Sequence, residues 1–343
     1  EESEIMKTQL RLLFTAMLAP ALMSVTGLAL GQASDYYKDK VINIIVAGGA
    51  SGGHTRYARL IQPYLQKYSG AREVRITNMP GGGGLIAASH VWRAKPDGFT
   101  ILFGNVPTLI LAPIAGMAGV QFDSTKFTYL GRAASEPRIL AVGSKSPIKT
   151  MQDVQKLGRP FIYPSQGTDE DFFTMAVLGD ALGFKIKAVT GYEGNADTTL
   201  AVIKGDGDGH ITGWSESLAP IKAGDKRPIL VVSSARVPDF PDVPTAVEAA
   251  PANKQAAVRA IVNIMETHRS YIGPPNMDAK ATAAFRAAVS AAMKDPALLE
   301  ESSKGNRPMS FMEGAEQQRV ITEITKASAT LAPILKSSLK EVQ

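Results

Sequence analysis

Short apolar runs alternate with stretches of helical spacing along most of the chain, and the alternation predicts layered α/β architecture with parallel strands. Val41–Ala47 (VINIIVA) and Val74–Asn78 (VRITN) read as the first two strands, and Phe99–Phe103 as a third. Between them, apolar residues at 57, 60, 61, 64 and 65 place one face of a helix over Thr55–Tyr68, and Leu85–Arg93 predicts a shorter one ended by Lys95-Pro-Asp-Gly98. Two apolar runs within Phe127–Val142 flank Gly131–Pro137, which predicts a crossing into a second domain. Beyond it the strands Pro160–Tyr163, Lys185–Val189, His210–Thr212 and Pro228–Ser233 are expected, with helices from Thr150 to Leu157, Asp169 to Leu182 and Asn195 to Lys204. Ser270–Gly273 is a last strand, Asp278–Met293 an amphipathic helix, and 311–335 a closing helix; Thr245-Ala-Val-Glu248 and Ser310-Phe-Met-Glu313 have capping-box spacing. The first domain is therefore expected over 34–133 plus 235–343, with the second, 134–234, inserted into it.

Two glycine-rich turns stand out against this pattern. The first strand runs into Gly48-Gly-Ala-Ser-Gly-Gly-His54, the second into Met79-Pro-Gly-Gly-Gly-Gly-Leu85, about thirty residues on. Each turn opens a helix, so backbone N–H groups and the helix dipole favour an anion there. Adjacent strands carrying such turns point to one anionic ligand at the carboxyl edge of the sheet. The second domain repeats strand, turn and helix at Pro164–Thr168 and Thr190–Gly194.

Composition narrows the class. The chain has 343 residues, 45% hydrophobic and 20% charged, without cysteine, which excludes disulfides, thiolate nucleophiles and zinc–thiolate sites. Lys7 and Arg11, the apolar stretch 12–30 and Gly31-Gln-Ala33 form a secretory signal with cleavage expected after Ala33, and hence a periplasmic protein; Glu1–Ile5 do not fit its basic n-region. Removing residues 1–33 takes away two basic and three acidic residues, so the net charge of +5 becomes +6. No stretch clusters Lys and Arg with aromatics, so the basic balance fits attraction of small acids and not nucleic acid.

Catalytic chemistry finds little support. The four histidines show no metal-ligand spacing, and Ser165 lies outside a Gly-x-Ser-x-Gly elbow. Asp169, Glu170 and Asp171 are expected at a helix N-terminus for dipole reasons alone. The first turn fails the dinucleotide fingerprint, because Ala50 stands where a glycine is required and Asn78 where an acid would meet the ribose. No cofactor or metal is expected, and the protein is not read as an enzyme. Tyr192, flanked by glycines, fits a cleft; Trp214, at a strand's carboxyl end, fits a cleft or a core; Phe172 and Phe173 fit a core.

Several motifs occur together in the order seen in one family: Tyr36–Val46, the glycine turn ending Tyr57-Ala-Arg59, Asn78–Gly84, Lys95–Gly98, Phe122–Phe127, Val189–Gly194 and Phe240–Pro244. Over residues 36–335 the chain resembles the extracytoplasmic receptors of tripartite tricarboxylate transporters, the Bug-type receptors. The resemblance implies a periplasmic-binding-protein type II-like fold: two α/β domains around a ligand cleft, joined by crossover strands. It also implies a monomer that closes on a small organic acid, a di- or tricarboxylate or an aromatic carboxylate, and delivers it to membrane permease subunits. A sensor handing the acid to a signalling partner is the alternative. By motif position the ligand contacts are Ala50, Ser51, Gly52, Gly53, His54, Thr55, Gly82, Gly83, Gly84 and Asn105 from one domain, and Ser165, Gln166, Gly167, Thr168 and Tyr192 from the other, with Trp214 added from its own position. Thr55 replaces the family's usual acid, which predicts a ligand without an amine, and His54 is expected to add a hydrogen bond or, if protonated, a charge.

Overall fold

The computed structural model describes residues 35–341. The secretory signal expected over 1–33 lies outside them. No helix among the described residues is long and apolar enough to cross a membrane.

β1 (Val41–Val46), β2 (Glu73–Asn78) and β3 (Thr100–Gly104) form the parallel centre of a six-stranded sheet, with β2 and β3 on either side of β1. β-Branched residues fill these strands, and Ile42, Ile44 and Ile101 are buried. α1 (Gly53–Ser69) and α2 (Leu85–Trp92) are the crossovers that parallel pairing requires. α3 (Val106–Ala115, VPTLILAPIA) follows β3 and was not legible beforehand: it is apolar all round, so it carries no amphipathic period.

The expectation of parallel sheets throughout fails at the crossing. β4 (Thr128–Arg132) runs toward the crossing segment 133–137, and β10 (Ser270–Gly273) runs away from it, so Ser270 pairs with Arg132 in an antiparallel register. β10 also pairs antiparallel with β3, and the short β11 (Met312–Glu313) closes the edge on β4. On the other side, β5 (Arg138–Gly143) leaves the crossing and β9 (Lys226–Val232) returns to it, giving the antiparallel sheet β8-β5-β9 with β8 (Gly209–Gly213). β6 (Phe161–Pro164) and β7 (Ile186–Val189) form a parallel pair there. Chain direction through the shared boundary dictates these pairings.

Between these strands lie α4 (Met151–Gln155), α5 (Glu170–Leu182), α6 (Asn195–Lys204) and α7 (Trp214–Lys222). α5 is buried along nearly its whole length, and Phe172 and Phe173 are core residues as expected. After β9 come α8 (Ala246–Ala249) and α9 (Gln255–Met265). Val237 and Phe240 pack with Ile139, Ala141 and Val231, and α9 packs on α5. Val237 and Phe240 thus pack on the second sheet, while α9 touches α5 on one side and α3 and the Ser328–Leu331 turn on the other.

The capping box at Thr245 forms: Glu248 N–H donates to Thr245 Oγ1 at 3.1 Å and Thr245 N–H to Glu248 Oε2 at 2.7 Å. The one at Ser310 does not. Ser310 Oγ instead accepts from Ser135 N–H, and Met312 and Glu313 pair with β4 before α12 (Gly314–Ala327) begins. α10 (Ala279–Met293) and α11 (Pro296–Lys304) precede it. The closing helix is broken at Ser328–Leu331, and α13 (Ala332–Lys340) packs on both α3 and α5.

Candidate functional site

The first glycine turn is tied down by its own side chains. Thr55 Oγ1 donates to Gly49 O at 2.7 Å, while Asn78 Nδ2 donates to Gly48 O at 2.9 Å and to Thr55 Oγ1 at 2.6 Å. Thr55 is therefore buried in a staple between the turn and β2. It leaves α1 to begin at Gly53 with no side-chain cap. α6 likewise begins after Gly194 without one. Uncapped N-termini keep unpaired N–H donors and positive potential. At α7 the role is filled: Ser215 N–H donates to Glu136 Oε2 at 2.7 Å.

These three helix starts border a cavity of about 550 Å³ between the two halves of the molecule, lined by residues including Gly53, Arg56, Tyr57, Asn195, Leu200, Ile203, Ser215, Glu216, Arg269 and Arg307. Its charged wall is mainly cationic, with three arginines and one glutamate, and Leu200 and Ile203 give it an apolar side.

Arg269 is the unusual member. Its side chain is 2% exposed and its backbone φ is +32°, a conformation that costs a non-glycine residue about 1–3 kcal/mol. Its carbonyl accepts from Ala133 N–H at 3.0 Å, so the crossing segment holds it in place. The guanidinium lies 4.5 Å over the Tyr57 ring, with Nη2 2.7 Å from Glu136 Oε1, yet Nε and Nη1 are buried without a hydrogen-bond partner among the described residues. Burial would raise Glu136, but the Arg269 charge and the Ser215 N–H outweigh it and keep it ionised. Burial, chiefly, pushes the Tyr57 phenol up, so it stays neutral.

A second polar cluster joins the halves behind the cavity. Arg138 makes a two-pronged ion pair with Asp171, and Thr108 Oγ1 donates to Glu170 Oε2 at 3.0 Å. Burial pushes His268 down to about 4, so the neutral ring donates from Nε2 to Glu170 Oε1 at 3.3 Å and leaves Nδ1 unpartnered. Burial alone would raise Glu170, but His268 and Arg138 hold it well below the usual carboxylate range. The acids of this turn thus do more than complement a helix dipole. Asp169 caps α5 by accepting from Phe172 N–H, Glu170 ties to Thr108 and His268 of the other half, and Asp171 pairs with Arg138 within its own half.

Of the residues singled out from sequence, Gly53 lines the cavity. A Cβ there would come within 2.9 Å of Glu216 Oε1, so only glycine fits. Ala50 and Ser51 are exposed just before it, beside Gly52. The expectation that His54 can carry a charge is corrected: desolvation, together with His268 and Arg269, holds its ring neutral, and Nε2 is buried without a partner. Gly82, Gly83 and Gly84 all have positive φ, and a Cβ on Gly83 would touch Asp169 at 3.4 Å, so the second turn meets the opposite half directly. Asn105 is buried with Oδ1 unpartnered. Ser165 Oγ donates to Gly167 O at 2.7 Å within its own turn, where Gly167 has a φ of +143°. Gln166 Nε2 donates to Asn195 Oδ1 at 2.7 Å and so reaches the cavity wall indirectly. Thr168 and Tyr192 are partly exposed. Trp214 is placed away from the cavity: its indole packs against the cluster of Ile139, Leu218 and Val237 and donates to Asp239 at 3.0 Å.

The fold and sequence have known counterparts. A UPF0065 protein of Bordetella bronchiseptica is 30% identical over 248 residues, 69% of this chain and 70% of that protein. The periplasmic binding protein BugD is similar in structure with a TM-score of 0.71 at 19% identity, over 88% of this chain and 98% of that one. MatC from Rhodopseudomonas palustris, solved with bound malate, gives 0.69 at 20% identity over 86% and 98%. These are periplasmic-binding-protein type II-like folds, as the motifs imply. The profile described as "Tripartite tricarboxylate transporter family receptor" matches residues 57–336. The chain belongs to that family, whose members are solute-binding receptors and not enzymes.

Proposed function

We propose that this protein is a periplasmic receptor that captures a small carboxylate between its two halves and delivers it to a membrane permease. The observation that carries the reading is Arg269: a buried guanidinium in the cavity wall with two donors unpaired. Leaving buried donors unmade costs about 1–3 kcal/mol each, and more for charged groups. A carboxylate accepting from one of them removes that cost, with further N–H donors available at the uncapped starts of α1, at Gly53, and α6. The malate bound in MatC supports a carboxylate as the ligand. The turns at Ser51–Gly53, Gly82–Gly84 and Ser165–Thr168, with Asn105 and Tyr192, would form the rims that move as the halves, hinged at 133–137 and near Arg269, close. The secretory signal read at residues 7–33 supports the periplasmic location, and the family description supports the permease partner.

The test is calorimetric titration of the purified protein with mono-, di- and tricarboxylates and with neutral amides of the same skeletons. Saturable binding of at least one acid, lost in its amide, is the expected result. Binding of amides as tight as the acids would overturn the reading.

A further inference from the structure

Glu216 is the one acid lining a cavity whose other charged side chains are arginines. Its side chain is 17% exposed, and its two oxygens are used differently. Oε2 accepts from Asn195 Nδ2 at 2.6 Å, which fixes the carboxylate on the α6 side. Oε1 has no hydrogen-bond donor among the described residues; Arg56 Nη2 stands off at 3.7 Å. The same point above Gly53 is 2.9 Å from Glu216 Oε1 and 3.6 Å from Arg269 Nη2. Glu216 Oε1, an acceptor with no donor among the described residues, and the edge of the Arg269 guanidinium therefore border one small space above Gly53.

Resting on the carboxylate reading, we infer that Glu216 sets ligand specificity by accepting a hydrogen bond from an ammonium or hydroxyl group on the carbon next to the bound carboxylate. Such a ligand meets the guanidinium and the open Glu216 oxygen with groups that share one carbon. An acid lacking the substituent leaves Glu216 facing the ligand with nothing to accept, and two carboxylates then approach each other without a proton between them. The acid absent at Thr55 does not argue against an amine. Thr55 is turned into its staple, and the acidic side chain of the cavity comes from α7 on the other half instead.

The test compares acids that differ only at that carbon: succinate, malate and aspartate in one series, propionate, lactate and alanine in the other, each titrated into the wild type and Glu216→Gln. Gln retains the acceptor for Asn195 but not the charge. A hydrogen bond to a charged group corresponds to about ten- to hundredfold in affinity. The wild type is expected to prefer at least one substituted acid over its parent by that factor, with the substituent preference collapsing in Glu216→Gln while the parent acid binds as well or better. The aspartate and malate arms separate ammonium from hydroxyl. Equal affinity for parent and substituted acids in the wild type, a comparison that needs no variant, overturns the inference and leaves the carboxylate reading standing. Equal loss for all three acids of a series in Glu216→Gln also overturns it. If no acid of either series, and no other carboxylate, binds the wild type, the carboxylate reading itself fails.

Discussion

Arg269 and Glu136 offer the sharpest test, because stability and binding pull apart in a two-residue cycle. Arg269→Met keeps much of the packing over Tyr57 but removes the charge opposite Glu136, whose side chain has no exposed surface. A buried carboxylate stripped of its partner costs about 3–5 kcal/mol. The lost contact with the Tyr57 ring adds about 1–2 kcal/mol. Glu136→Gln in the same chain removes the stranded charge while still accepting from Ser215 N–H, so the double variant should regain most of that loss and sit within about 1–2 kcal/mol of wild type. Binding follows a different rule. Both variants lack the guanidinium, and one charged hydrogen bond from its unpaired donors is worth about 1.5–3 kcal/mol to a carboxylate, so both should bind their best acid about 10–10²-fold more weakly. Urea titration followed by circular dichroism gives the stabilities, and calorimetry the affinities. Wild-type affinity in the folded double variant would remove Arg269 from the ligand's reach. A double variant as unstable as Arg269→Met would show that Glu136 does not depend on that charge.

Three further changes probe the frame. Lys226 is buried, and burial pushes its amine down to about 7 from the usual 10.5. Between those values the unfolded chain holds a proton that the native chain has released, so stability should rise with pH by up to about 1.4 kcal/mol per unit. Lys226→Met should flatten that slope in denaturant titrations at pH 8, 9 and 10; an unchanged slope refutes the assignment. Arg138→Met strands Asp171 and Glu170 in the seam between the halves and should cost about 3–5 kcal/mol, measured by urea unfolding, with a cost below 1 kcal/mol contradicting the buried pairing. Thr55→Val removes the donor to Gly49 O and the acceptor for Asn78 and should destabilise by about 1–2 kcal/mol, which thermal unfolding would register. No effect there would mean that the turn holds its shape without the staple.

What was legible in the sequence follows from which interactions are local. The three parallel strands and their glycine turns are visible because β-branched runs, helical spacing and glycine all act within a few residues. The box at Thr245 forms for the same reason, since both its bonds close within one turn. The box at Ser310 has identical spacing and fails, because β4 offers Met312 and Glu313 a ladder that outcompetes the cap. Arg269 was not foreseeable in this way. Nothing in Thr267-His-Arg-Ser270 marks an αL backbone, and the residues that make the conformation tolerable, Ala133 and Glu136, are more than a hundred positions away.

The charge of the candidate site carries the same lesson further. Read along the chain, the substitution of an acid by Thr55 next to the first glycine turn removes negative charge from the ligand cleft. In three dimensions that position belongs to the turn's internal bonding, and the carboxylate beside Gly53 arrives from α7, on a strand–helix unit that the first turn's motif does not include. A receptor assembled from two halves can therefore change ligand class without altering the anion-binding turn, by exchanging a side chain on the jaw opposite it. The glycine turn supplies a place for any carboxylate, and its uncapped amides are indifferent to what the rest of the molecule carries. Discrimination then falls to whichever opposing residue reaches Gly53, and in this chain that residue is Glu216.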